Sequence, residues 1–231
     1  CLTLLKEQGW DVSQDSNYKD IIYINSHRGS LEKSDAVIKG YITFMDKASM
    51  LVARLVNPQP GERVLDCCAA PGGKSMYMAA LMDNTGSLMS CDIHEHKITL
   101  MESNAQRLGI SIVQTKVQDA TELPSAWKSY FDRVLVDVPC SGLGILQKKL
   151  DMRWRKDEST LSELPPLQLS ILERAAMTVK EKGYLVYSTC TLNYKENEDV
   201  VEAFLQKHKE FSIVPVGTDF PLKSNNGMIT T

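Results

Sequence analysis

The sequence predicts an α/β fold in which a parallel sheet carries helices on both faces. From Val64 onward, short apolar runs alternate with longer amphipathic stretches, which is the pattern of successive strand and helix units. Polar residues, mostly Asp, come at the ends of these runs, where parallel strands expose their carboxyl ends. Hydrophobic residues make up 43% of the 231 residues, enough for one domain with a core and a small appendage.

The strands and helices follow in order along the chain. The predicted strands are residues 63–67, 88–91, 110–116, 131–136, 183–187 and 211–216. The predicted helices between them are residues 74–82, 94–108, 167–180 and 195–207. Gly109 marks the end of the second of these helices. The charged segment 142–165 is too long to be a simple connector.

A smaller unit precedes the sheet. Residues 1–43 contain a predicted helix (2–8) and a predicted strand (21–24), and we interpret them as the remnant of an α+β module. Residues 44–231 form the larger domain, entered through a helix (44–55) and a hinge at 57–61. Because the chain opens on Cys1 and not on Met, we expect it to be a fragment.

Composition excludes several classes of site and location. The net charge of −3 means that any nucleic-acid contact must come from a local basic patch. The six cysteines form no Cys-x-x-Cys pair, so we expect neither a zinc site nor a disulfide framework, and a reduced, intracellular setting. His94 and His96 do not share a helix face, and we expect no metal.

The loop after the first strand resembles a phosphate-binding loop only in part. It ends in Gly-Lys-Ser, but the first glycine of a P-loop would fall at Cys68. The dinucleotide fingerprint also fails, because Ala69, Ala70 and Pro71 fill the loop. What remains is a strand, a tight Pro-Gly-Gly turn and the N-terminus of a helix, at the edge where ligands bind open parallel sheets.

Carboxylates narrow the choice of ligand. Asp92 follows the second strand and can accept both hydroxyls of a ribose, while Asp119 follows the third and can reach an adenine amino group. Asp66 and Asp137 add negative charge at the same edge, which repels a triphosphate and suits the positively charged sulfonium of S-adenosylmethionine. The alternative for any single Asp is that it only caps the next helix.

Two cysteines stand at strand exits. Cys140 closes the Asp137-Val138-Pro139-Cys140 element after the fourth strand, and Cys190 follows the fifth. A thiolate that adds to carbon 6 of a pyrimidine turns carbon 5 into a nucleophile, and a base must then remove the carbon 5 proton. Either cysteine alone could be a small buried hydrophobe. Spacing alone leaves open which of the two attacks.

Three motifs carry a family resemblance. Residues 66–74 (DCCAAPGGK), 137–142 (DVPCSG) and 187–191 (YSTCT) resemble the signature elements of the Sun/Nop-type RNA (cytosine-5) methyltransferases, and the likeness covers residues 41–216. It implies a Rossmann-like, class I S-adenosylmethionine-dependent methyltransferase sheet, and an RRM-like identity for residues 1–43. The lead-in 57–63 is most similar to bacterial members that act on 16S rRNA, which implies 16S rRNA or a ribosome assembly precursor as partner and a cytoplasmic location.

The resemblance also implies roles for individual residues. Cys190 would be the nucleophile and Cys140 would assist release of the methylated base, while Asp137, together with Lys74, would touch the cytosine. The residues implied to hold S-adenosylmethionine are Cys68, Ala69, Ala70, Pro71, Gly72, Gly73, Lys74, Asp92, Asp119 and Asp137. Members of the family usually have a helical NusB-like domain in front and a last antiparallel strand, and we expect this chain to lack both.

A basic segment follows the Pro-Cys element. Basic side chains neutralise phosphates and an indole can stack on a base, so this segment is a candidate RNA contact. Its residues are Lys148, Lys149, Arg153, Trp154 and Arg155. The alternative is a solvated charged loop. Two other functions stay open from the sequence: methylation of tRNA, and a catalytically silent RNA-binding protein of the same fold.

Overall fold

The computed structural model describes residues 1–27, 29–145, 158–216, 224–225 and 228–229. The strands are β1 (Asp11–Gln14), β2 (Ile22–Ser26), β3 (Arg63–Asp66), β4 (Ser87–Asp92), β5 (Val113–Val117), β6 (Phe131–Asp137), β7 (Val179–Ser188), β8 (Ser224–Asn225) and β9 (Met228–Ile229). The helices are α1 (Leu2–Glu7), α2 (Asp35–Ile38), α3 (Lys47–Val56), α4 (Gly73–Leu81), α5 (Glu95–Leu108), α6 (Glu158–Ala176) and α7 (Glu198–Lys207).

The main sheet has five parallel strands in the order β5-β4-β3-β6-β7. Successive residues of a strand face opposite sides, so Val64 and Leu135 pack towards α3 and α4, whereas Leu65 and Val134 pack towards α6 and α7. The central strands β3, β4 and β6 are largely buried because a helical layer covers each side of the sheet. The predicted α/β fold with helices on both faces is therefore confirmed.

Three predicted boundaries on the α6–β7 side are wrong. Helix α6 ends at Ala176, not at 180, because the Thr178 hydroxyl and N–H both turn back to the carbonyl of Ala175 (2.7 and 2.9 Å). Strand β7 then starts early, at Val179. The helix also begins at Glu158, not at the predicted 167, and it contains Pro165 and Pro166.

The predicted sixth strand at 211–216 is wrong. The structure gives these residues no strand, and β7 is an edge of the sheet within the described residues. Phe211 packs against Phe204 of α7, with ring centroids 5.4 Å apart, while Ile213 and Val214 are exposed. A strand requires a hydrogen-bonded neighbour. Phe211, the apolar residue that could have packed such a strand onto the sheet, packs on α7 instead.

The amino-terminal unit has its own small core, formed by Leu5, Trp10, Val12 and Ala36. It contains an antiparallel hairpin, β1–β2, of which the sequence predicted only the second strand. Arg107 of α5 holds this unit through its guanidinium, which donates to the carbonyls of Val37 (2.8 Å) and Ile42 (3.2 Å). The unit is therefore attached to α5 through specific polar contacts.

The described residues contain no helix that is both long and apolar enough to cross a bilayer. Within the same residues, no three His, Cys, Asp or Glu side chains are grouped so that they could hold a metal ion.

Gly40 provides a test of the contact between the amino-terminal unit and α5. A Cβ at Gly40 would lie 1.8 Å from the carbonyl oxygen of Arg107, and its φ is +73°. Gly29 has a similar φ of +76° with nothing within 4 Å. We expect Gly29→Ala to cost about 1 kcal/mol of unfolding free energy, because of backbone strain alone, and Gly40→Ala to cost at least about twice that. Urea unfolding measures both, and equal losses would contradict the docking described here.

Candidate active site

The motif residues meet at the carboxyl edge of the sheet. Strand β6 ends at Asp137 and β7 at Ser188, and these two residues are register partners in neighbouring strands. The Val138 N–H donates to the carbonyl of Ser188 (3.1 Å), which extends the pairing past the strand ends. Because the strands are parallel and in this register, the segments that carry Cys140 and Cys190 leave the sheet side by side.

The loop between β3 and α4 is held tightly against β4 and α5. The Ala69 N–H donates to the carbonyl of Cys91 (2.7 Å), and the Gly72 N–H donates to that of Ala69 (2.7 Å). Gly72 has φ +97°, and a Cβ there would lie 2.8 Å from Cγ of Met101. Only glycine fits this turn, so the backbone leads directly into the first turn of α4.

The Gly-Lys-Ser ending is not used as in a phosphate-binding loop. Ser75 is buried, and its hydroxyl donates to Oδ2 of Asp66 (2.7 Å). Lys74 points to Asp137, with Nζ 2.5 Å from Oδ2. Both side chains that would contact phosphate and its metal in a P-loop are therefore committed to carboxylates.

Asp66 does not line the edge as a free charge. It is 1% exposed, and Oδ1 has no hydrogen-bond partner within the described part of the chain. Burial raises the pKa of Asp66 to about 7, in spite of the Ser75 hydrogen bond, which lowers it. The side chain of Asp66, which was expected to add negative charge at this edge, is instead buried against Ser75, and burial favours its neutral form.

Asp92 and Asp119 both lie at strand ends and both cap the backbone that follows. Oδ1 of Asp92 accepts the His94 N–H (3.0 Å) and lies 3.6 Å from Nζ of Lys97. Oδ1 of Asp119 accepts the Thr121 N–H (2.8 Å) and hydroxyl (2.7 Å). These contacts use one oxygen of each carboxylate, so capping and ligand binding are compatible at both positions.

The two cysteines are in direct contact. The Sγ atoms of Cys140 and Cys190 are 3.0 Å apart, and the Cys190 N–H donates to Sγ of Cys140 (3.2 Å). Cys190 is exposed and Cys140 half-buried. Both are free thiols beside Asp137, whose Oδ1 accepts the hydroxyl of Ser188 (2.6 Å).

The contact shifts the pKa values of the two thiols in opposite directions. The hydrogen bond from Cys140 lowers the pKa of Cys190 to about 7, although burial and the nearby Asp137 act in the opposite direction. The same hydrogen bond and burial raise the pKa of Cys140. The geometry allows either sulfur to donate, and our hypothesis is that Cys140 keeps the proton while Cys190 is the more readily ionised thiol.

A buried polar cluster behind the cysteines was missed from the sequence. It consists of Ser141, Gln168, Thr191, Asn193 and Glu196. The predicted helix 195–207 included Glu196, but Glu196 lies in a separate 3-10 turn, Tyr194–Glu196, and has no exposure. The Asn-x-x-Glu spacing from Asn193 to Glu196 is typical of a helix start and could have indicated this turn.

The proposed RNA-contact residues Lys148, Lys149, Arg153, Trp154 and Arg155 lie outside the described residues. The structure therefore neither brings them to the site nor separates them from it.

Alkylation tests the division of the proton. We expect the rate of iodoacetamide modification at Cys190 to rise with pH, with its midpoint at about 7. Cys140→Ala should move this midpoint up towards about 8.5, the value of an ordinary thiol, because the donor is gone. Mass spectrometry of the Cys190 peptide measures the rate, and buried Cys67 and Cys91 serve as slow internal references. An unchanged midpoint in Cys140→Ala would contradict the assignment.

Comparison with known proteins places the chain. Residues 53–230 match the family model for the 16S rRNA methyltransferase RsmB/F. The chain is similar to the probable ribosomal RNA small subunit methyltransferase B of Bacillus subtilis, with 44% identity over 185 residues, which are 80% of this chain and 41% of that protein. The chain spans less than half the length of the curated relatives it matches.

Solved structures agree. The crystal structure of PH0851 has a TM-score of 0.91 and 33% identity, over 99% of this chain and 52% of that one. NSun6 from Pyrococcus horikoshii, solved with SFG, has a TM-score of 0.77 and 30% identity, over 88% of this chain and 51% of that one. From the family match and these similarities, the chain belongs to the RsmB/F family of S-adenosylmethionine-dependent RNA cytosine-5 methyltransferases.

Proposed function

We propose that this protein transfers a methyl group from S-adenosylmethionine to carbon 5 of a cytosine in RNA through a covalent cysteine–cytosine adduct. The observation that carries the proposal is the contact between Cys140 and Cys190, whose sulfurs are 3.0 Å apart at the carboxyl edge of the sheet. Family membership supports the same reaction. Methylation of carbon 5 requires one thiolate to activate the ring and one group to release it, and the pair supplies both.

The residues of the loop and the strand ends fit S-adenosylmethionine. The Ser75 hydroxyl and Lys74 are committed to Asp66 and Asp137, which leaves no phosphate-binding set, and carboxylates lie at the ends of β4 and β6. Asp92 would hold the ribose, Asp119 the adenine, and the first N–H groups of α4 the methionyl carboxylate. Bound here, S-adenosylmethionine supplies a methyl group on a positively charged sulfur. Cys68 to Lys74 and Asp137 would complete its pocket.

Cys190 would start the reaction. Its thiolate adds to carbon 6 of the cytosine, a sulfur–carbon bond forms, and the electrons of the ring double bond move to carbon 5, which becomes the nucleophile. Asp137 lies beside Cys190 and is held by Lys74 (2.5 Å) and Ser188 (2.6 Å), so it can orient the polar edge of the base. Positioning of this kind can lower the barrier by about 7–11 kcal/mol.

Cys140 would complete the reaction by releasing the methylated base. Once Cys190 is bonded to carbon it no longer carries the charge that raises the pKa of Cys140, so Cys140 can lose its proton to solvent. It then takes the proton from carbon 5, the electrons of that bond restore the ring double bond, and the sulfur of Cys190 leaves with its electron pair. Release of the methylated base depends on this step.

We propose 16S rRNA, or a ribosome assembly precursor that contains it, as the RNA. Two bacterial relatives at 44% and 39% identity are probable ribosomal RNA small subunit methyltransferases B, which supports this choice. An rRNA substrate would give a bacterial enzyme a cytoplasmic location. We also propose that residues 1–43 and 44–231 are separate units, supported by the separate core around Leu5 and Trp10.

Variants of the two cysteines test the covalent mechanism. With labelled RNA and methyl donor, Cys140→Ser should accumulate a covalent RNA adduct that survives denaturing gel electrophoresis, because release fails. Cys190→Ser should form no adduct and lose methyl transfer by about a thousandfold or more. Cys1→Ser, which changes an exposed thiol in the amino-terminal unit, is the control and should behave as the parent chain. An adduct in Cys190→Ser but not in Cys140→Ser would reverse the roles.

A choice of substrates tests the RNA. We expect transcripts of 16S rRNA to be methylated at one cytosine, and transcripts of 23S rRNA and tRNA not to be, as measured by bisulfite sequencing after incubation with S-adenosylmethionine. Methylation of tRNA alone would refute the 16S assignment while leaving the chemistry intact. Binding of RNA without methylation of any of the three would favour a silent RNA-binding protein.

A further inference from the structure

Glu196 is a buried carboxylate that the proposed reaction does not use. It has no exposure, and its two oxygens accept three hydrogen bonds from neutral donors. Oε2 accepts the Ser141 N–H (2.8 Å) and Nε2 of Gln168 (3.0 Å), and Oε1 accepts Nδ2 of Asn193 (2.9 Å). Burial alone would raise the pKa of Glu196, but these hydrogen bonds bring it below its usual range, so the group is an anion.

These donors belong to the segment that carries Cys140. Ser141 is the residue directly after Cys140. Gln168 of α6 donates also to the carbonyl of Pro139, the residue directly before it, at 3.0 Å. Glu196 therefore holds the chain on both sides of Cys140, once directly and once through Gln168.

The same turn is tied to the segment that carries Cys190. Tyr187 lies in β7, three residues before Cys190. Its hydroxyl donates to the backbone carbonyl of Glu196 (2.6 Å). Thr191, directly after Cys190, exchanges a hydrogen bond with the Ser141 hydroxyl (2.7 Å) and accepts the Asn193 N–H (3.2 Å). One buried turn thus connects the two strand exits.

We propose, on the basis of the function proposed above, that Glu196 is a positioning residue that holds Cys140 against Cys190. It touches neither sulfur. Its carboxylate anchors the Pro-Cys segment to the turn after the Thr-Cys segment, and this anchor maintains the 3.0 Å distance between the sulfurs. Because hydrogen bonds weaken steeply with distance, loss of the anchor weakens the bond that keeps Cys190 ionised.

The donor pattern requires a carboxylate and not an amide. In Glu196→Gln one oxygen becomes an NH₂ group, so at least one of the three donors then faces another donor. Asn193→Asp offers the matching change, because an Asp oxygen would accept from an NH₂ placed near the position of Oε1. The double variant Glu196→Gln/Asn193→Asp therefore restores complementary pairs with the same net charge as the parent chain. Oδ1 of residue 193 can still accept the Lys195 N–H, as it does in the parent (3.2 Å).

The test measures the pH midpoint of Cys190 alkylation, methyl transfer to RNA, and affinity for S-adenosylmethionine in the full chain. For Glu196→Gln we expect the midpoint of Cys190 alkylation to rise by about one pH unit and methyl transfer at pH 7 to fall about tenfold. The affinity for S-adenosylmethionine should not change. The double variant should recover both the midpoint and the rate. Asp199→Asn, which removes an exposed charge from α7, is the matched control and should leave the midpoint in place.

Three results would overturn the proposal. A folded Glu196→Gln with the parental midpoint shows that Glu196 does not position the pair. A double variant that recovers stability to urea but not the midpoint shows a structural role only. If Glu196→Gln does not fold, Gln168→Leu, which removes the Gln168 hydrogen bonds to Pro139 and Glu196 but keeps the direct bond from the Ser141 N–H to Glu196, should raise the midpoint by a smaller amount, and no rise refutes the anchor. The alkylation midpoint needs neither RNA nor methyl donor, so a chain that shows no methyl transfer refutes the proposed function separately.

Discussion

The parallel pairing of β6 with β7 is the constraint on which the candidate site depends. The register joins Asp137 to Ser188, and the Val138 N–H continues the ladder one step further. Cys140 lies three residues past the end of one strand and Cys190 two past the other. A shift of the register by one residue would move the side chains of one strand to the opposite face and separate the sulfurs. The 3.0 Å contact between the sulfurs therefore depends first on the backbone hydrogen bonds that set the register of β6 and β7.

The carboxylates around the paired ends of β6 and β7 are held by neighbouring side chains. Lys74 neutralises Asp137, Ser75 satisfies one oxygen of Asp66, and Glu196 is held by neutral donors alone. A buried anion without donors would take up a proton, and the raised pKa of Asp66 shows that tendency where the donors are too few. The site thus places its ionised groups where hydrogen-bond donors stabilise them. In the proposed reaction Cys190 is the nucleophile, and its side chain is exposed at this edge of the sheet.

The amino-terminal unit is attached by backbone-directed contacts. Arg107 donates to two carbonyls of that unit, and Gly40 approaches the carbonyl of Arg107 so closely that no side chain would fit. Arg54 of α3 pairs with Asp20, which also accepts the hydroxyl of Tyr77 in α4 (2.6 Å). These contacts attach the unit to α3, α4 and α5.

The sequence by itself determined the alternation of strands and helices, the five parallel strands and the motifs at their carboxyl ends, because hydrophobic period and turn residues act within a few positions. It also predicted a strand at 211–216, wrongly, since the packing of Phe211 on Phe204 joins segments that pattern alone does not connect. Only the tertiary structure decided that Ser75 and Lys74 face carboxylates, that Asp66 is buried, and that Glu196 lies behind the cysteines. Cys140 and Cys190 are 50 residues apart, and which of them carries the proton depends on a distance that register and packing set.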